Sequence, residues 1–142
     1  MTAGPATGLA RFVGAQQDSY ARALAELRTG RKAGHWMWFV FPQIAGLGRS
    51  ATAQFYAIAD RAEAHAYARH PLLGTRLREC TEAMLGWAGR RSAEDILGGI
   101  DALKFASSMT LFEACADDRA PFAAALDAFY AGKRDPATLA RL

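Results

Sequence analysis

No apolar run in the chain approaches the roughly 18 residues of a membrane-spanning helix, so that class of helix is not expected. Cysteine is scarce. Cys80 and Cys115 stand alone, and no CxxC, HExxH or other metal-ligand spacing links them to His35, His65 or His70. Neither a metal site nor a cofactor is expected. The GxSxG elbow, the Walker A loop and GxGxxG are all missing, which removes three common routes to an enzymatic reading. Two alternating apolar runs joined by a turn are also missing, so no β-hairpin is expected. The opening MTAGPATGLARF has no basic segment followed by an apolar one. No secretory signal is expected, and the thiols should be reduced in a cytoplasmic protein. Charge is not massed: 17 Lys+Arg against 14 Asp+Glu give +3. The arginines are scattered rather than gathered into the stripe of a nucleic-acid binder.

What is present suits a globule. A chain of 142 residues with 51% hydrophobic and 22% charged residues can bury roughly 68–70% of its unfolded surface. Residues 1–7 are small and polar and are expected to be disordered, leaving 8–142 as one helical domain.

Helical signals follow one another along that stretch. Leu9, Phe12, Val13, Gln16, Tyr20, Leu24 and Leu27 recur at helical spacing, with a break near Asp18, a residue that suits an N-cap. Gly30 is a stop. His35–Phe41 reads as a short buried helix ended by Pro42, because the residue before proline avoids the α region. Ser50 suits an N-cap, and Asp60 with Glu63 resembles a capping box. Pro71 suits a first helical turn. Ser92 with Asp95 opens another segment, Gly98-Gly99 closes it, and Asp101 is expected to cap Ala102–Ala116. Residues 119–131 and a segment from Asp135-Pro136 complete the chain. The expectation is an all-α fold of seven to nine short helices around an aromatic-rich hub.

Three constellations could carry chemistry. The run HWMWFVFPQ holds Trp36 and Trp38, rings able to stack on a flat ligand, with His35 and Gln43 able to read its polar edge. A packing hub accounts for the same rings without a ligand. The loop Gly46-Leu-Gly-Arg49-Ser50 precedes a helix start and could offer backbone N–H groups and a guanidinium to an anion; an ordinary turn with an N-cap is the competing reading. In Asp101–Phe112, Lys104, Ser107 and Ser108 sit on a helix that is apolar nearly all round. Such a helix is normally buried, so the lysine must pair, snorkel or bind. A surface pair with Asp101 and packed serines is the simpler account. A Ser–Lys nucleophile at i, i+4 would need a depressed lysine pKa. His35, whose ordinary pKa lies near neutrality, is the candidate catalytic acid–base group.

HWMWFVFPQIAGLGRS and DALKFASSMTLF, with Arg11-Phe12, Ala15-Gln16 and the stretch from Pro71 through Leu77 to Glu79, resemble a bacterial family, domain of unknown function 1810. The resemblance spans nearly the whole chain and implies a small all-helical domain without an assigned activity. Some members are labelled calpastatin, a disordered inhibitor, but the aromatic content and capped helices here do not suit a disordered chain. The aromatic helix, Pro71-x-x-Gly74-x-x-Leu77 and Lys104-Phe105 are also faintly similar to NADAR domains, which implies a nucleotide-like ligand.

Two functions compete on these residues. One is a pocketed binding protein or enzyme for a small anionic, ring-bearing ligand, which requires the named groups to share one cleft. The other is a protein–protein interaction module whose aromatics are only core. Nucleic-acid binding ranks third. Neither a reaction nor an oligomeric state follows from the sequence.

Overall fold

A computed structural model describes residues 8–142; the expected disordered stretch 1–7 lies outside them. Ten helices occur among the described residues: α1 (Ala10–Gln17), α2 (Tyr20–Thr29), α3 (Met37–Val40), α4 (Ala51–Phe55), α5 (Arg61–Arg69), α6 (Leu73–Leu85), α7 (Ala93–Leu97), α8 (Gly99–Cys115), α9 (Ala120–Tyr130) and α10 (Pro136–Leu139). The architecture is all-α. Its only pairing of extended backbone among the described residues is an isolated parallel bridge, Ile44 to Ile58. The count exceeds nine because the break near Asp18 is complete. Asp18 ends α1 instead of capping α2, while the Ser19 hydroxyl donates back to the Ala15 carbonyl at 2.7 Å.

Local chemistry explains several helix ends. The Ser50, Asp60 and Asp135 side chains each accept the N–H three residues on, and Ser92 with Asp95 forms a reciprocal capping box. Glu63 does not return the favour to Asp60. Its carboxylate takes the Ala59 N–H at 2.9 Å and the Arg11 guanidinium at 3.0 Å. Gly30 is left-handed (φ 80°), and the Arg31 and Gly30 N–H groups close α2 on the Glu26 and Leu27 carbonyls, a Schellman pattern. Asp101 is not a cap either, since α8 starts two residues earlier at Gly99.

The apolar circumference of α8 is matched by its surroundings: it packs against α5, α7, α9 and α10, while α6 packs against α2, α5 and α9. Rings join these layers. Phe12 meets Tyr67 edge-on at 5.0 Å, Tyr67 meets Phe112, and Phe112 meets Phe122. Phe41 sets its edge against Phe105 at 4.8 Å. Such pairs add about 0.5–1.5 kcal/mol each beyond area burial. The aromatic run is thus first a hub, with Trp36, Met37, Val40 and Phe41 all in the core. Gln16, buried beside it, donates to the Phe39 carbonyl (2.7 Å) and the Tyr67 hydroxyl (3.0 Å), and accepts from Arg76. A buried amide used this fully fixes the position of α3 on α1.

Candidate functional site

The Glu26 carboxylate shapes the approach to α3. One oxygen accepts the N–H groups of Ala33 (2.8 Å), Gly34 (2.9 Å) and the Trp36 indole (2.8 Å). Burial opposes its ionisation, but these N–H bonds and the nearby Lys32 outweigh it and hold the carboxyl below its ordinary range. The turn they organise ends with His35 exposed, Trp36 buried and Trp38 half-exposed.

Two grooves meet at His35. The first, about 510 Å³, is lined by His35, Trp38, Phe39, Phe55 and Tyr56 together with Ala51 and Thr52 at the start of α4. Its walls are mostly ring surface. The second, about 350 Å³, is lined by Lys32, His35, Leu97 and the first turn of α8 from Gly98 to Asp101. Gly98 stands before α8 with no side-chain cap (φ 88°), and a Cβ at either Gly98 or Gly99 would meet only open space. The Gly98 N–H is taken by the Glu94 carbonyl at 2.8 Å, and the N–H groups that follow belong to a helix start with no side-chain cap.

Charge gathers beside both grooves. Asp101 pairs with Lys32 at 2.8 Å and with Lys104 at 3.5 Å. Each ammonium also sits over a tryptophan: Lys32 over Trp36 at 5.3 Å and Lys104 over Trp38 at 4.8 Å. Lys32 and Lys104 share the Asp101 carboxylate, and Lys32 also lies near the ionised Glu26, so two cations face two carboxylates. The N-terminus of a 17-residue helix lies alongside, with Asp101 in its first turn, so the part of this surface suited to an anion is the helix start and the two ammonium groups.

The expected site residues do not share one cleft. His35 and Trp38 line the groove, and Lys104 stacks on Trp38. Trp36 is 2% exposed, and its ring belongs to the core under Lys32. Ser108 is fully buried, and its hydroxyl finds no hydrogen-bond partner among the described residues. Ser107 donates to Asp135 at 2.8 Å, holding α10 against α8. The Gln43 carbonyl accepts from Ile58 N–H at 2.8 Å, and this residue serves the bridge between two loops. The Gly46–Ser50 loop is a filled turn rather than an open cradle. Gly46 (φ 98°) lies under the Arg141 guanidinium, where a Cβ would come within 2.7 Å of Cζ, and a Cβ at Gly48 would come within 2.5 Å of the Ala53 Cβ. Ser50 spends its hydroxyl on the Ala53 N–H at 3.1 Å. Arg49 is exposed and lines neither groove.

The Lys104–Asp101 pair was expected from the sequence and is present; sequence reasoning missed Lys32 as a second partner of Asp101, Phe55, Tyr56 and the bare start of α8. The Gly98-Gly99 pair was a legible signal for the last, since neither glycine can supply a capping side chain. Among the described residues, no helix is long and apolar enough to cross a membrane.

Comparison with known proteins adds a family and no reaction. No curated protein matches the sequence. The chain is similar to a crystal structure of the conserved hypothetical protein Rv1873 from Mycobacterium tuberculosis, with 50% identity and a TM-score of 0.91 over 94% of this chain and 95% of that one. Neither this match nor the family match supports the fainter similarity to NADAR domains. The family model matches residues 6–142, and the chain belongs to that family, DUF1810, proteins of unknown function.

Proposed function

We propose that the protein binds a small anionic ligand carrying a flat ring, of nucleotide-like build, across the two grooves that meet at His35, on a residue set revised from the single cleft expected from sequence: Trp36, Gln43, Arg49, Ser50, Ser107 and Ser108 line neither groove. The carrying observation is that one exposed histidine borders both an aromatic groove and a groove that holds Lys32 and the start of α8. The ring lies against Trp38, Tyr56 and Phe55. The anion lies at the start of α8 beside Lys32, with Lys104 adding charge through its place on Trp38. His35 stands between ring and anion, where it can donate to the ligand or exchange a proton with it.

A thermal-shift comparison of adenosine, AMP and inorganic phosphate tests this. AMP should stabilise the protein, by about 2.7 kcal/mol at 100 times its Kd, while adenosine and phosphate, each filling one groove, do much less. Trp38→Ala and His35→Ala should each remove the shift. No shift with any nucleotide, or a shift that survives both substitutions, would refute the reading.

A second reading, an interaction module, rests on one observation. Phe55, 47% exposed, lines the aromatic groove and Ile100, 74% exposed, lines the second. Contiguous exposed apolar surface marks contact sites. On that reading Ile100→Ser abolishes association with a partner and leaves small-molecule shifts unchanged.

A further inference from the structure

Away from His35, a cavity of about 290 Å³ lies between the end of α5, the start of α6 and the α8–α9 connection. Its floor is apolar: Leu77, Ala116 and Phe122 are 1%, 6% and 4% exposed. Its rim is charged with both signs, Arg69 and Arg78 against Asp117 and Asp118. The Pro71-x-x-Gly74-x-x-Leu77 stretch builds one wall. Gly74, Leu77 and Arg78 are spaced i, i+3, i+4, which puts them on one face of α6. Gly74 is required because a Cβ there would overlap the Ala68 carbonyl group, so α6 crosses the end of α5 closely enough to enclose the space.

The rim charges are not all satisfied by one another. Asp117 is held from α5 by His65 at 3.0 Å and by Arg69 at 3.6 Å. The His65 bond, with Arg69 contributing, keeps its carboxyl below the ordinary range. Asp118 gives one oxygen to the Ala120 N–H at 3.2 Å and retains the other. Arg78 makes no ion pair among the described residues. The cavity therefore presents an unpaired cation on α6 and a half-used carboxylate on the α8–α9 connection, above an apolar floor. A simple anion meets repulsion from two aspartates, and a simple cation meets it from two arginines. A species carrying both charges can answer both signs of the rim. The volume sits at the small end of ligand sites, which run from roughly 300 Å³ upward.

The geometry points to a second site for a free α-amino acid with an apolar side chain: its carboxylate on Arg78, its ammonium on Asp118, and its side chain on Leu77 and Phe122. The site is independent of the His35 grooves.

Isothermal titration with glycine, L-alanine, L-valine, N-acetyl-L-valine and L-valinamide tests it. L-Valine should bind, and affinity should rise about fourfold for each methylene that reaches the floor. The acetylated and amidated forms, each lacking one charge, should bind roughly 10- to 100-fold more weakly. Arg78→Gln, an exposed change that keeps the helix, and Asp118→Asn, which keeps an acceptor for Ala120 N–H, should each weaken L-valine by a similar factor. Circular dichroism confirms that both variants are folded. Absence of L-valine binding overturns the inference. So does equal binding of the capped forms, which would describe an apolar cleft without charge recognition. Unchanged affinity in both variants overturns the assignment to this cavity.

Discussion

Truncating Glu26 tests how the site is held together, and its cost can be worked from the contacts. Glu26→Ala removes one acceptor from three donors at once: Ala33 N–H, Gly34 N–H and the Trp36 indole N–H. The Ala33 bond is exposed, so that donor recovers water. The indole cannot, because Trp36 is 2% exposed. A hydrogen bond to a charged group contributes about 1.5–3 kcal/mol. One such bond lost outright and part of a second give roughly 3 kcal/mol. For a domain of this size, at about 3 °C per kcal/mol, the expected fall in Tm is roughly 9 °C. Glu26→Gln keeps an oxygen acceptor without its charge and should lose about half as much. The pH dependence carries a definite sign. The folded carboxyl titrates below its unfolded value of 4.5, so its contribution is complete above that value and is lost as the pH falls through the lower folded one. Urea denaturation followed by tryptophan fluorescence, at neutral pH and in acid, measures both effects. A variant within about 0.5 kcal/mol of wild type, or a gap of equal size in acid, would refute the reasoning.

Two further substitutions probe packing. Ser108→Ala removes a buried hydroxyl that has no partner among the described residues and should stabilise the protein by about 1 kcal/mol; a lower urea midpoint would show that the hydroxyl is used. Gly74→Ala drives a methyl group into the Ala68 carbonyl and should cost about 3 kcal/mol; thermal unfolding close to wild type would show that α6 does not need its close crossing of α5.

Much of the fold was legible from neighbours in the chain. Ser50, Asp60, Ser92 and Asp135 cap helices because a side-chain oxygen can reach the N–H three residues on wherever the chain turns helical. Gly30 and Pro42 stop helices for equally local reasons. Asp18 and Asp101 show the limit. Both have a capping side chain, but Asp18 closes α1 and leaves Ser19 at the start of α2, and α8 begins at Gly99, two residues before Asp101. The candidate site was legible in part. His35, Trp38 and Lys104 were named from their own segments. Lys32 was not, because its partner Asp101 lies 69 positions away in sequence and nothing local announces the pairing.

By itself the sequence determined an all-α chain of short capped helices, a hub built on HWMWFVFPQ, and membership of a family that its motifs already resembled. Those properties depend on periodicity and on groups within about four residues of one another. The tertiary structure decided which side of the hub meets solvent. It buried Trp36 and Ser108 while exposing His35, laid Arg141 over Gly46, and brought the bare start of α8 beside Lys32. Each of these outcomes depends on contacts between distant segments, and a helix of given composition can present any of its faces until its neighbours are packed against it.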